Sequence, residues 1–444
     1  MMNWIRRKEV QNAGWLIAGK IAQMVISLFV SLLTARYLGP GNYGLLSYAA
    51  AYTAFFFSLC TLGINSVIVK EMIDEPQAEG EILGTALLLR AVASICSAGV
   101  ILAIVSAVDA GEPTTILVVA LSSLGMVFHV FETLNYWFQA RLESKVTAIA
   151  TFAAYAVTSA YRVFLIVTGK SVAYFALALT VDHICSALVL LYAYHKRGGQ
   201  DFSFTWIWAK RLLGKSCHFI LSGLMVSVYG QTDKFMLKQM LGKGELGYYS
   251  VALAVCNLWC FVLNAVITSL TPGIMQAHSE DSNLFERKNR QLYAIVFYLS
   301  AAVSLVLTLF APLVIRVLYG EAYLAAAAPL RVVTWYTAFS YLGVARNPWV
   351  VCQNCQKYLK YIYLITALAN VALNGLLIPP LGAVGAAAAS LLTQMLVIAV
   401  PLLFREMGAN SRLILEAMLL RGVFLRRGVK TGKSMEWREL DEDI

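Results

Sequence analysis

Long apolar runs separated by short polar interruptions fill the chain from residue 13 to residue 404. They lie at 13–35, 44–69, 82–108, 114–138, 146–168, 172–194, 212–237, 247–272, 291–318, 330–352, 361–378 and 384–404. At a rise of about 1.5 Å per residue, about 20 apolar residues cross a hydrocarbon core about 30 Å thick. The pattern therefore predicts an all-α, polytopic membrane protein with about 12 transmembrane helices. Composition agrees: 59% of the 444 residues are hydrophobic and 14% charged, more apolar surface than a soluble domain hides. Arg6, Arg7 and Lys8 precede the first run as they would in a signal peptide. That run is longer than the usual h-region of about 7–15 residues and no A-x-A-like site follows, so a retained helix is expected.

The polar residues inside the runs are not scattered. In the first helix Asn12, Lys20, Gln23, Ser27, Ser31 and Thr34 recur every three or four residues, with one two-turn gap, and so share one face. The seventh helix carries Lys215, His218, Ser222, Tyr229 and Asp233 at helical spacing. Two readings stand for Lys20 and Lys215: they line a cavity, or they snorkel to a nearby interface. Arg90 and Arg346 have the same two readings. Arg162 and Asp182 flank the tight turn "TGKS" (168–171) at depths about four residues apart, roughly 6 Å, which suits an ion pair. Asp182 with His183 also forms a deep titratable cluster, open to proton coupling. Asp233 and Lys234, near the outer end of the seventh helix, suit a gate or an interfacial pair. His129 and Glu132, one turn apart, suit a buried hydrogen-bonded pair.

A repeat organises the chain. At an offset of 203, Leu38/Leu241, Gly39/Gly242, Gly41/Gly244, Gly44/Gly247, Ser47/Ser250 and Ala49/Ala252 are identical. Further on the offset drifts to about 214, where Gln139 meets Gln353 and Val157 meets Val371. Two six-helix lobes result, 1–194 and 212–404, pseudo-symmetric and parallel because six is even. Residues 195–211 read as an amphipathic linker and residues 405–444 as an amphipathic, basic tail with a surface helix from Arg412 to Leu425. The repeat also disposes of a false lead. "GPGNYG" (39–44) fits the dinucleotide G-x-G-x-x-G, but a full-length apolar helix precedes it and no acid follows at the right distance. The glycines are expected to make tight turns instead.

The net charge of +10 is not a nucleic-acid signature, because the basic residues alternate between loops. With a cytoplasmic N-terminus, one side holds Arg6, Arg7, Lys8, Lys70, Arg141, Lys145, Lys196, Arg197, Lys210, Arg211, Arg287, Lys288, Arg290, Lys357, Lys360 and eight more after Leu403. The other holds six, a positive-inside asymmetry that places both termini in the cytoplasm. Cys352 and Cys355 form a C-x-x-C with no further ligands at zinc spacing, and no metal is expected. No catalytic or Walker motif is present, so neither an enzyme nor ATP-driven transport is expected.

The stretches "ARYLGPGNYGLLSYAAA", "YGQTDKFMLKQMLGKGELGYYSVALA", "YGEAYLAAAAPLRVV" and "NVALNGLLIPPLGAVGAAAASLLTQ", in that order, resemble the Wzx-type polysaccharide flippases of the multidrug/oligosaccharidyl-lipid/polysaccharide exporter superfamily. The resemblance covers residues 1 to about 405. It implies a bacterial or archaeal cytoplasmic (inner) membrane protein that moves a polyprenyl-diphosphate-linked oligosaccharide, such as an undecaprenyl-linked O-antigen or exopolysaccharide unit, by alternating access. It implies a cationic cavity, and Lys20 and Asp233 stand where the family commonly has basic and acidic residues; from the stripes and the in-span charges, Asn12, Lys20, Gln23, Arg90, Lys215 and Arg346 are the substrate-binding candidates. Asp233, Lys234, Asp182 and Arg162 are the gating or ion-coupling candidates, with H+ or Na+ as the coupling ion and no cofactor. Membrane lipid is a partner, a polysaccharide polymerase and chain-length proteins are further ones, and nucleic acid is not. A drug/cation antiporter of the same superfamily would share the fold but gather acids in its cavity. A membrane polymerase or ligase would carry a large outer loop, and every outer loop here is short.

Overall fold

The computed structural model describes the backbone of residues 2–421; within it, the side chains of residues 2–22, 24, 25, 66, 218, 219, 221–226 and 229 lie outside the description. Those side chains include the expected stripe residues Asn12, Lys20, His218, Ser222 and Tyr229. Among the described residues the secondary structure is helical, with no strand. Nine of the described helical stretches are long and apolar enough to cross a membrane, from Ile26–Thr61 to Ala383–Leu403. The protein is an all-α, multi-pass membrane protein. One compact unit ends at Lys238 and a second begins at Gln239.

In the first unit, α1 (Met2–Thr61) holds two spans joined at one non-helical residue, Gly39 (φ 69°, ψ 172°), with Pro40 directly after it. The repeat partner Gly242 adopts the same conformation (φ 88°, ψ 179°) between α9 (Trp206–Leu241) and α10 (Lys243–Asn257). No atom stands within 4 Å of a Cβ added at either glycine, so the dihedral and not the space demands glycine here. The repeated sequence thus encodes a repeated turn.

Several expected spans are broken where the sequence gives weak warning. The second ends at Thr61, passes Leu62 and Gly63 in left-handed conformations (φ 51° and 58°), and resumes as α2 (Asn65–Asp74). Helix α3 (Glu79–Val108) is continuous. The fourth span is α4 (Pro113–Phe128), a 3-10 turn at His129–Thr133, then α5 (Leu134–Ala140). α6 (Ser144–Val167), α7 (Val172–Ala176) and α8 (Ala178–Lys196) complete the spans before the linker. Trp137, Phe138, Tyr194, Leu83 and Leu190 form an apolar core at this end of the unit.

The linker is not free. Residues 197–205 form an extended strap over the start of α3, where Ser203 N donates to Gly80 O (3.3 Å), Thr205 N to Thr85 Oγ1 (3.0 Å), and Gly80 N to Gln200 Oε1 (2.9 Å). Tyr194 Oη donates to Gln200 O at 2.6 Å, pinning the strap from α8. Gly80 and Gly84 allow this approach. A Cβ on Gly80 would collide with the Asp201 carbonyl and one on Gly84 with Ser203 backbone, a small-xxx-small contact.

The second unit continues with α10, α11 (Cys260–Glu280), α12 (Ser282–Tyr319), α13 (Ala327–Ala345), α14 (Asn347–Cys352), α15 (Gln356–Leu381) and α16 (Ala383–Ala399). Pro348 explains the break before α14, because it has no N–H to offer the carbonyl of Val344. The turn Leu142–Glu143 and the turn Asn354–Cys355 are equivalent. Leu142 and Asn354 are both left-handed (φ 56° and 54°), and Glu143 N to Phe138 O (2.8 Å) matches Cys355 N to Val350 O (3.0 Å). The structural offset there is 212, two short of the Gln139/Gln353 identity. The tail helix also differs from expectation. α17 runs Arg405–Met418, seven residues earlier than predicted, and buries Met407, Asn410, Leu413, Ile414 and Ala417 in a core with Phe285, Tyr293 and Trp349. Asn410 Nδ2 to Tyr293 Oη (2.6 Å) and Tyr298 Oη to Met418 O (2.7 Å) fasten it to α12.

Candidate functional site

Among the described residues of the first unit, Glu79 is buried and paired with Arg141 (2.7 Å) and Trp137 (2.9 Å), and three further groups of buried charges bear on the helix breaks and on α9. The innermost begins at Arg90 on α3, which is 1% exposed. Its Nη1 donates to Thr133 Oγ1 at 2.8 Å and its Nη2 faces His129 Nδ1 at 3.3 Å. Arg90 does not snorkel; it braces the 3-10 turn that interrupts the fourth span. Because guanidinium only donates, His129 Nδ1 accepts, which leaves Nε2–H to point at Glu132 Oε2, 3.3 Å away. Glu132 Oε1 in turn receives His183 Nδ1 at 2.9 Å from α8. The expected His129/Glu132 pair is present and extends to His183. Asp182 turns elsewhere, accepting from Thr158 Oγ1 at 3.1 Å. No ion pair joins it to Arg162 among the described residues, contrary to the spacing argument, since equal depth on two helices does not fix which way their side chains face.

The other two groups hold the ends of α9. At one end Glu71 on α2 is fully buried and receives both Arg211 (2.8 Å) and Lys215, while Arg211 also reaches Glu75 (2.5 Å). At the other, Lys238 is buried against Asp109 and lies 3.3 Å from Glu112. Tyr48 Oη donates to Asp109 Oδ2 at 3.0 Å, and the Lys238 ammonium sits 5.1 Å from the Tyr48 ring centre. Thus α9, which the repeat assigns to the second half, is tied at both ends to the first unit. Asp233 is buried on this helix, and Lys234 Nζ donates to Gln231 Oε1 at 2.9 Å.

Glu112, in the loop between α3 and α4, reports on the Lys238 group. Thr115 Oγ1 donates to its Oε2 at 2.6 Å; that bond, helped by Lys238 and opposed by partial burial, holds the carboxyl below the usual carboxylate range. A depressed folded pKa means that ionised Glu112 stabilises above the unfolded value of about 4.3 and that this contribution fades as pH falls through the folded value. Because Glu112 is half exposed, its contribution is under about 1 kcal/mol. Thermal melts of wild type and Glu112→Gln should differ at neutral pH and converge in acid.

In the second unit, Arg346 stands at the break between α13 and α14 and is 0% exposed. Its Nη1 donates to Val397 O at 2.9 Å. That carbonyl is orphaned by sequence, because its helical partner four residues on is Pro401, which has no N–H. Each unit therefore buries one arginine against an irregularity in its helices. Gln23, on the first helix, is half-buried. Further along its stripe, Ser31 and Thr34 line a cavity inside the first unit together with Arg162.

The bundle and its broken spans make a polytopic helical membrane protein whose fold is shared with solved MOP superfamily structures. It is similar to an inward-facing multidrug resistance MATE family transporter of that superfamily, with 15% identity over 88% of this chain and 98% of the other at a TM-score of 0.69. It is similar also to the lipid II flippase MurJ in an inward closed conformation, with 14% identity over 91% of each chain and a TM-score of 0.65. A MOP superfamily transporter from Pyrococcus furiosus, described as having a binding pocket of reversed polarity, matches at 15% identity over 92% of this chain and 97% of the other, with a TM-score of 0.59. A comparison with curated protein sequences gave no match. The family model for polysaccharide biosynthesis proteins matches residues 10–278, and the chain belongs to that family.

Proposed function

We propose that the protein is a flippase that carries a polyprenyl-diphosphate-linked oligosaccharide from the cytoplasmic to the outer leaflet of a bacterial or archaeal cytoplasmic membrane. The observation that carries this reading is membership of the polysaccharide biosynthesis family on a MOP transporter fold. The in-span charges support it. On the spans read from the sequence, the bases Lys20, Arg90, Arg162, Lys215, Lys234, Arg316, Arg331 and Arg346 outnumber the acids Glu132, Asp182 and Asp233, as suits a cargo whose diphosphate must cross a layer of low dielectric constant. The positive-inside distribution supports an orientation with both termini in the cytoplasm. A second reading, a proton- or sodium-coupled drug/cation antiporter, draws on the Glu132, His129 and His183 cluster. Those imidazoles and Arg90 surround a single carboxylate, however, which leaves little negative charge for a cationic drug.

The test is transport by protein reconstituted in liposomes. Polyprenyl-diphosphate oligosaccharide should move between leaflets when the protein is present, and lipophilic cations should not. Lys20→Gln and Lys215→Gln should each slow the movement at equal protein content. Cation transport without glycolipid movement replaces the flippase reading with the antiporter. Unimpaired movement in the double variant removes both lysines from the cargo site.

A further inference from the structure

The first unit contains a cavity of about 230 Å³ lined by Ser31 and Thr34 before the Gly39 turn, Tyr43 and Ser47 after it, Ser122 on α4 and Arg162 on α6. One cation and five hydroxyls thus face a single space. Tyr43 is hydrogen-bonded to Ser31, and Arg162 lines the same cavity within electrostatic reach of the Tyr43 hydroxyl. Among the described residues Arg162 has neither an ion-pair nor a hydrogen-bond partner. Asp182 is within electrostatic reach of it but beyond ion-pair distance, and is held by Thr158.

An arginine on a membrane-spanning helix is normally paired or turned to water, because bare burial is unfavourable. Arg162 is partly buried, five residues before the end of α6, and the space it lines is walled by hydroxyls. We propose that Arg162 and the hydroxyls around it form a binding site for a small oxyanion, a carboxylate or phosphate borne on a compact polar body. The planar fork of arginine matches two oxygens of such a group; Thr34 Oγ1 already donates to Val30 O (2.7 Å) and Tyr43 is bonded to Ser31, so Ser47 and Ser122 supply donors to the remainder. The volume is smaller than the roughly 300–1,000 Å³ of a drug-sized pocket, so the space matches a single sugar acid or headgroup phosphate. A second cavity of about 300 Å³, sharing Ser122 and Leu179 and lined by His129 and His183, lies next to it. An oxyanion at Arg162 would thus stand at the mouth of the Glu132 group. The site belongs to the first unit alone and does not depend on the flippase reading.

Two sources offer this chemistry: an acidic sugar, or the headgroup of an acidic phospholipid. Calorimetric titration of the full-length protein in phosphatidylcholine nanodiscs separates them, with glucuronate and inorganic phosphate as probes and glucose as the neutral control. Saturable binding of an oxyanion but not of glucose is expected, weakened about ten-fold or more by Arg162→Gln and less by Arg162→Lys, which keeps the charge without the fork. Tyr43→Phe should weaken it modestly and provides a second test if Arg162→Gln fails to fold. If phosphatidylglycerol in the nanodisc competes with glucuronate, the headgroup is the natural occupant; if it does not, the acidic sugar is. Absence of oxyanion binding to the folded wild type, or undiminished binding by folded Arg162→Gln, overturns the proposal. Transport plays no part in the readout, so its failure and failure of the flippase reading are separate events.

Discussion

Asp109→Ala is expected to lower the stability of the first unit by about 3–5 kcal/mol, because it strands the enclosed Lys238 ammonium without its closest counter-charge. Glu112 at 3.3 Å is half exposed and compensates only in part. The loss is not a measure of what the pair contributes relative to an apolar contact. Asp109→Leu combined with Lys238→Met replaces both partners by side chains that need no solvation, and that double variant should recover most of the lost stability. Thermal unfolding of the purified single and double variants checks this. A single variant as stable as wild type would mean that the ammonium finds water, and would remove the tie between α9 and the loop after α3.

Gly84→Ala is expected to destabilise by about 1–3 kcal/mol, by forcing a methyl group against the backbone of Ser203. The strap would have to lift, weakening the bonds from Ser203 N to Gly80 O and from Thr205 N to Thr85 Oγ1 that hold it to α3. Gly99, on the same helix, is the control. A Cβ there meets nothing within 4 Å, so Gly99→Ala should stabilise by up to about 1 kcal/mol through helix propensity alone. Opposite signs at two glycines of one helix would show that the strap, and not helix content, sets the outcome at Gly84. Protease cleavage between residues 197 and 205 should also rise in Gly84→Ala.

The sequence made legible what depends on local periodicity. The apolar runs marked the helices, and the offset of 203 located Gly39 and Gly242, whose shared backbone conformation is a property of the residues themselves. His129 with Glu132 was legible for the same reason, since one helical turn brings them together. Contacts between distant segments were not legible. Lys238 and Asp109 stand 129 positions apart, and Lys215 and Glu71 stand 144 apart, with no spacing rule to join them. For Arg346 a signal existed in Pro401, which predicts an orphan carbonyl at Val397, but not the side chain that would answer it. The Arg162/Asp182 pairing failed because depth along a helix was used without its azimuth. The interruption at His129–Thr133 carries no glycine or proline, and its explanation, the Arg90 brace, comes from another helix. The seventh span shows the same limit at larger scale: its sequence belongs to the second repeat, while its ionic ties run to the first unit.

The flippase account meets its most direct test in cells that lack the protein. Polyprenyl-linked lipids would be extracted, their sugars identified by mass spectrometry, and the leaflet that holds them determined by accessibility to an impermeant reagent. The account predicts a complete oligosaccharide-lipid that accumulates on the cytoplasmic face and returns to the outer face when the gene is restored. Normal outward transfer of every polyprenyl-linked glycan in those cells would contradict it.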